Sequence, residues 1–435
     1  MKLLPHQEDV LKILEPYNRC AMYLDMGLGK TYTGAEKMMQ LGEAVNLVIC
    51  QKSKVDDWLQ HFTDNYELSH DMMIYDCTKW KKSDWLEFSK EPNSTCGYTH
   101  LVLIINYELA WHRSQLLQLQ DFTLMLDESS LIQNIKAKQT KFIMKMKPSN
   151  VILLSGTPCS GKYENLVTQA NLLGWNISQE IYDRTYINYK LTEDDGSGFR
   201  HKVVDMNDPY KNIERLKNKL REHGAIFLKT EDVLDLPEQN FIDVIVDAPK
   251  EYKKFMKNDY IRLTDELELI GTTTFTKRLY ARQLCSQYNQ HKIDALTDLI
   301  QSTQDRLIIF YNFNDELDIL KGICNAQNRP YSQVNGSVKD LTNYEEKDNS
   351  ISLIQYQSGS MGLNLQRCNK IIYFSLPERS ELFEQSKKRV HRIGQSQPCF
   401  YYIMMSRNTI EGDIYENLKL RKDYTDELFI NANTN

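Results

Sequence analysis

Short apolar runs of strand length recur through the front half of the chain, at residues 20–24, 47–50, 101–105, 122–126 and 151–154. Each gives way to small or polar residues, and amphipathic or polar stretches separate them. This alternation predicts a parallel α/β sheet. In such sheets ligands bind outside the carboxyl ends of the strands, so those strand-end residues are the first place to look for chemistry. From 163 to 223 helical stretches dominate, interrupted by a polar segment at 193–198 that reads as the exposed tip of an inserted protrusion. A second helical block runs from about 251 to 300. Strand-like runs then resume at 307–311, 352–356, 371–374 and 400–404, and a charged amphipathic helix occupies about 410–429. The expected organisation is α/β, with two tandem parallel-sheet lobes. The first covers 1–235 with a helical insertion at about 160–225, and the second covers 236–435 with a helical protrusion at about 250–300.

Length and composition agree with that division. A chain of 435 residues exceeds the ~100–200 typical of one domain, so two or three domains are expected. Hydrophobic content of 41% and charged content of 26% are ordinary for a globular protein. No stretch approaches the ~18 continuous apolar residues of a membrane helix, and the N-terminus meets polar residues too early for a secretory signal. A cytoplasmic location without a membrane partner is therefore expected, in the nucleoid or in a host cytoplasm. The nine cysteines include no CxxC pair, which argues against a zinc ribbon and against a disulfide framework. The formal net charge of -6 neither points to nucleic acid nor excludes it, because a local groove matters more than the sum.

Three strand ends carry the chemistry. Gly27, Leu28, Gly29, Lys30 and Thr31 follow the first run and open a predicted helix. Glycines let backbone N–H groups approach phosphates, Lys30 neutralises the β/γ-phosphates of ATP, and Thr31 holds Mg²⁺. Leu24 stands where the general phosphate-loop pattern has its first glycine. A chance GxGK[ST] in a chain this long is on the order of one per cent. Asp127 and Glu128 follow the run at 122–126. They suit a magnesium ligand and a group that orients the attacking water. Taken alone, such a pair is more often a solvated strand end; behind a GKT loop it gains meaning. Ser155, Gly156 and Thr157 follow the run at 151–154 and in isolation could be a simple turn.

In the back half, Gln385, Arg389 and Arg392 are spaced i, i+4 and i+7, predicting one face of a helix stopped by Gly394. The default for Lys387, Lys388 and Arg389 is a solvated basic face.

The string 384–395 (EQSKKRVHRIGQ) resembles motif six of the Swi/Snf-type DNA translocases of helicase superfamily two, and the resemblance extends over nearly the whole chain. It implies two RecA-like lobes, with Arg389 and Arg392 as arginine fingers to the γ-phosphate alongside Lys30, Asp127 and Glu128. Gln7, in Leu4-Pro5-His6-Gln7, is similar to the glutamine that reads adenine. Val48-Ile49-Cys50 with Trp58 resembles motif Ia, and Ile105-Asn106-Tyr107-Glu108 motif Ib. Residues 307–310 resemble motif four, and 358–365, containing Ser358, Ser360 and Gly362, resemble motif five. Ser155-Gly156-Thr157 resembles the third motif which, with Gln385, couples the nucleotide site to DNA. The resemblance implies that Gly362 assists nucleotide binding. Lys52, Ser53, Lys54, Asn106, Tyr107, Asn312, Ser358 and Ser360 become candidates for phosphate contacts that read no sequence.

Departures mark a compact, divergent branch of the short bacterial or bacteriophage type. Motif one lacks the family's usual extra glutamate, motif two is Asp-Glu-Ser-Ser, and Tyr356 replaces a common Ser or Thr. The implied activity is an ATPase that moves along double-stranded or branched DNA as a monomer. Alternatives are a strand-separating or annealing helicase, and a nucleotide-dependent clamp that recruits a partner such as a nuclease.

Overall fold

The computed structural model describes residues 2–67, 70–193, 200–265, 267–359 and 363–429. The chain forms two compact units, one comprising Met1–Val233 with Asp423–Asn435 and the other Leu234–Lys422. Each is built on a seven-stranded sheet of RecA-like type.

The first sheet contains β1 (Arg19–Leu24), β2 (Val45–Cys50), β3 (Met72–Asp76), β4 (His100–Asn106), β5 (Phe122–Asp127) and β6 (Asn150–Ser155). An excursion carries the antiparallel hairpin β7 (Tyr189–Glu193) and β8 (Arg200–Val204), and then β9 (Ala225–Leu228) returns to the sheet. The order is β3-β4-β2-β5-β6-β1-β9 with every pairing parallel. Register decides what the strand ends bring together. Tyr23 pairs with Ser155 and Asp127 with Leu154, so the loops after β5, β6 and β1 open side by side. β1, β2, β5 and β6 are buried along nearly their whole length because helices cover both sheet faces.

The second unit contains β10 (Gln239–Val246), the hairpin β11 (Tyr260–Arg262) and β12 (Glu268–Ile270), β13 (Leu307–Tyr311), β14 (Tyr331–Val334), β15 (Lys339–Asp340), β16 (Ile351–Gln355), β17 (Lys370–Tyr373) and β18 (Cys399–Ser406). Its sheet runs β10-β18-β17-β13-β16-β14-β15, parallel except for the last pair. Successive residues of one strand feed two separate cores: Ile308 and Phe310 join one, while Leu307, Ile309 and Tyr311 join the other. Across the core, Lys292 Nζ lies 2.5 and 2.7 Å from the two carboxylate oxygens of Glu411, with both side chains buried. The helices Lys250–Asn258 and Thr274–Cys285 pack with β11 and β12 into a small satellite core around Phe255, Leu269 and Leu284.

Two stretches expected to be purely helical therefore each contain a hairpin, β7–β8 and β11–β12. Their strands are short and largely exposed, so they carry no apolar run. Tyr356 opens a one-turn helix, Tyr356–Gly359, instead of ending β16. All nine cysteines are free, eight of them buried. Among the described residues no helix is long and apolar enough to cross a membrane.

Candidate active site

The loop between β1 and the helix Lys30–Leu41 turns on two left-handed glycines, Gly27 at φ +90° and Gly29 at φ +77°. A Cβ on Gly29 would lie 2.1 Å from Gln7 Nε2, so a side chain here would have to displace the Gln7 amide and hold a strained left-handed backbone. Gln7 sits on the helix Pro5–Leu14, is buried, and donates to Leu28 O at 3.1 Å, while its Oε1 accepts from Leu4 N at 2.9 Å. His6 Nε2 lies 3.1 Å from the same Leu28 carbonyl. Lys30 Nζ donates to Leu24 O at 2.9 Å, at the mouth of its own strand. Thr31 is partly exposed in the first turn of the helix.

Asp25, which gave no signal in the sequence, holds the loop's other flank. Its Oδ1 accepts from Met26 N at 2.8 Å, and its Oδ2 accepts from the Thr230 hydroxyl at 2.8 Å.

At the end of β5, Trp58 Nε1 donates to Asp127 Oδ2 at 2.9 Å. Burial pushes the Asp127 carboxyl above its ordinary value, opposed by this indole and by Lys54 and Lys30. The sequence placed Trp58 in a motif of the second strand but gave no hint that it orients an acid on another element. Glu128 adopts φ +59°, an uncommon conformation for a residue with a Cβ. Its Oε1 accepts from Ser155 Oγ at 2.8 Å and from Ser130 Oγ at 2.9 Å. Ser155 Oγ in turn accepts from Thr157 N at 3.1 Å. A Cβ on Gly156 would lie 3.3 Å from Lys30 Nζ, so the third strand end leaves little room for a side chain beside the phosphate-loop lysine. A carboxylate and a hydroxyl are the all-oxygen donors magnesium prefers, so Asp127 and Thr31 fit that ion chemically.

Beneath these loops sits Gln169, fully buried and unremarked in the sequence. Its Oε1 accepts from Tyr23 Oη at 3.0 Å and Ser129 Oγ at 2.8 Å, and its Nε2 donates to Pro158 O at 2.6 Å. One amide thus ties the strand bearing the phosphate loop to the loops after β5 and β6. Only contacts across strands reveal it, which a linear reading cannot supply.

The candidates for phosphate contact divide. Lys52 and Ser53 are exposed in the turn Lys52–Lys54 after β2, and Lys54 pairs with Asp57 at 2.7 Å. Tyr107 and Asn106 are corrected: both are buried, the Tyr107 hydroxyl donates to Asp127 O at 3.0 Å, and Asn106 Nδ2 donates to Glu108. They brace the strand ends rather than present a surface.

In the second unit Asn312 Nδ2 donates to Ser375 Oγ at 2.9 Å and Leu376 O at 3.0 Å, lacing the ends of β13 and β17 together. Ser358 lies in the helix Tyr356–Gly359, while Ser360 and Gly362 lie outside the described residues. Tyr356, the departure from the family pattern, stacks on Phe310 with ring centroids 5.1 Å apart and donates to Ser375 O at 3.0 Å. It is a core aromatic.

Gln385, Arg389 and Arg392 do not share a helix. The helix Ser380–Lys387 ends before either arginine, Gln385 is buried, and Arg389 and Arg392 lie in the turns that follow. Lys387 is also corrected from a solvated position: it is buried, paired with Glu384 at 2.7 Å and 5.0 Å from the Phe383 ring centroid. The residues after the helix are held by contacts distant in sequence. Gln395 Nε2 donates to Gln366 O at 3.1 Å and Cys368 O at 3.0 Å, pulling the chain back toward the residues after motif five, and Gly394 turns at φ +95°. Leu365 N donates to Arg389 O at 3.1 Å, and Arg392 Nη1 donates to Asn364 Oδ1. Burial lowers the Arg392 pKa from its ordinary value.

Comparison with known proteins bears on this arrangement. The SNF2-related domain family matches residues 6–293, and the helicase conserved C-terminal domain matches residues 291–394. The chromatin-remodelling ATPase ISW1 of Saccharomyces cerevisiae is 21% identical over 92% of this chain and 38% of its own length. A SWI/SNF-related regulator of chromatin, subfamily A-like protein 1, of Drosophila melanogaster is 23% identical over 99% of this chain and 56% of its own length. The ATP-dependent helicase YqhH of Bacillus subtilis is 22% identical over 98% of this chain and 80% of its own length. The chain thus spans between 38% and 56% of the first two relatives. Among solved structures, the Sulfolobus solfataricus SWI2/SNF2 ATPase core in complex with dsDNA aligns with a TM-score of 0.44 at 19% identity, covering 98% of this chain and 92% of that one. With the family match running over well more than half of its residues, the chain belongs to the SNF2-related family of ATP-hydrolysing, helicase-like enzymes.

Proposed function

We propose that the protein is a DNA-dependent ATPase that converts hydrolysis into movement along double-stranded DNA. The observation that carries this reading is the seating of Glu128, whose carboxylate is held by Ser155 from the neighbouring strand end and by Ser130. In this reading Glu128 orients the attacking water while Lys30 and the loop amides hold the phosphates. Asp127 and Thr31 would hold Mg²⁺, which supplies charge neutralisation on the phosphates when bound. Gln7 meets the adenine end, and Gly362 assists nucleotide binding. Arg389 and Arg392 supply guanidinium charge to the transferring phosphoryl group.

Coupling follows from chemistry at the same strand ends. A change at the phosphates moves Lys30, beside which Gly156 leaves little room for a side chain, while Ser155 holds Glu128. Lys52, Ser53 and Lys54 follow β2 in the first sheet and Asn312 follows β13 in the second, strand-end positions from which they can meet DNA phosphates. Relatives named for chromatin remodelling and for DNA repair support DNA as the track.

The test is ATP turnover measured side by side with duplex, single-stranded and forked DNA and with RNA. Stimulation by duplex DNA, with triplex displacement and no fork unwinding, is expected. Turnover indifferent to every DNA would overturn the proposal.

A further inference from the structure

The helix Lys250–Asn258 buries Tyr252 and Phe255 in the satellite core and turns its other side outward. That outer side carries Lys250, Lys253, Lys254 and Lys257, all exposed. Their spacing of i, i+3, i+4 and i+7 gathers four ammonium groups into an arc of roughly 100°. Like charges three and four residues apart on a helix repel and disfavour it.

Elsewhere the chain relieves such charge. Lys54, Lys217, Lys219, Lys387 and Lys419 each pair with an acid three residues away on the same helix or turn. Among the described residues, none of the four lysines has an ion-pair partner. The acid at the end of this helix, Asp259, is taken by Lys277. Glu251, the acid within this helix, forms no ion pair with any of the four, so among the described residues no salt bridge offsets the repulsion, on a chain whose net charge is -6.

We infer that this lysine face is an accessory binding surface for the phosphate backbone of duplex DNA, formed by residues other than the strand-end candidates named above. The inference rests on DNA being the track. Regularly spaced ammonium groups on long stems suit a backbone that presents one charge per ~1.7 Å of duplex axis, and the stripe spans roughly 10 Å. An acidic protein partner would call for an apolar centre with a polar rim, and the lysine arc contains no apolar residue. Lysines used as point charges hold a backbone without reading sequence. The surface would keep the enzyme on its track while the loops at the strand ends change grip.

The test replaces Lys253, Lys254 and Lys257 together by Gln, a residue of similar helix propensity, and measures equilibrium binding to duplex DNA over a range of salt. Affinity should fall ~10-fold or more, and the slope of log K against log[salt] should become shallower by about 2–3. ATP turnover without DNA should be unchanged. The charge-preserving triple Arg variant should restore affinity and slope, which a purely structural role would not require. Unchanged duplex affinity and slope in the Gln variant would overturn the inference. So would a loss seen only with polyglutamate, or only with single strands or RNA. ATP turnover that no DNA stimulates would sink the proposed function while leaving a salt-dependent duplex surface standing; failure of the parent protein to bind duplex DNA would sink the surface itself.

Discussion

The Ser155 hydroxyl donates to Glu128 Oε1 at 2.8 Å, joining the ends of β6 and β5 through one hydrogen bond. Ser130 donates to the same oxygen, so Ser155→Ala loosens the carboxylate without freeing it. Loss of one such bond is worth about 1.4 kcal/mol, so kcat should fall roughly 10-fold. KM for ATP should hardly move. A rise in KM with kcat preserved would show that Ser155 acts on nucleotide binding instead.

Gly156→Ala should act on the other side of the same junction. The added methyl would lie 3.3 Å from Lys30 Nζ and from Met26 Cγ. The lysine must yield, and its phosphate contact is made with it, so KM for ATP should rise roughly 3–10-fold. Steady-state kinetics decide the matter, and an unchanged KM would count against the contact.

Lys30→Ala should abolish turnover, because a point charge on the β/γ-phosphates has no substitute in the loop. Arg392→Ala should slow turnover by ~10³ or more while nucleotide binding persists, as expected of an arginine finger. Fluorescent-nucleotide titration beside a turnover assay separates the two effects. If affinity fell and rate did not, the finger role would be wrong.

Glu411→Gln leaves Lys292 buried without its counter-charge. Denaturant unfolding of the second unit should show a loss of about 3–5 kcal/mol. Replacing both residues with Met should recover most of it. A double variant as unstable as the single would mean that the pair, and not the stranded ammonium, carries the stability.

Glu316 gives a pH dependence with a definite sign. Burial raises its carboxyl above the ordinary value, against hydrogen bonds from Asn312 N, Phe313 N and the Ser375 hydroxyl. A carboxyl with a raised native pKa binds its proton more readily folded than unfolded. Its contribution is therefore greatest in acid and is lost as pH rises from the ordinary carboxylate range through the raised value. Glu316→Gln retains an oxygen to accept these donors. It should gain stability relative to the parent at about pH 8 compared with about pH 5, read as the difference between unfolding midpoints. A stability difference independent of pH would sink this assignment.

Strand legibility followed position in the sheet. β1, β2, β4, β5 and β6 are the interior strands of the first sheet, and their continuous apolar runs announce them. The strands left unread, β3 and β9 in the first sheet and β10, β14 and β15 in the second, are edges or next to an edge. β10 and β14 mix polar with apolar residues, as β10 does with exposed Phe241 and Asp243, so no long run marks them, whereas β3 and β9 carry four apolar residues in a row but are only partly buried. The same logic governs the site. Lys30, Glu128 and Ser155 were readable because each stands at a strand end within a local motif. Gln169, Asp25 and the bond from Trp58 to Asp127 join residues far apart in sequence, and only the sheet register brings them together. The helix expected to carry Arg389 and Arg392 failed for a similar reason. Helical spacing was present, but Gln395 anchors the chain to Gln366 and Cys368, a contact that periodicity does not encode.

The indole of Trp58 has its N–H directed at the carboxylate proposed to hold magnesium. Its emission should therefore respond to the charge state of that carboxylate, which would make the indole an optical gauge of the proposed metal site. With the other four of its five tryptophans replaced, the arrival of the divalent ion could be watched on the unlabelled chain, apart from any hydrolysis.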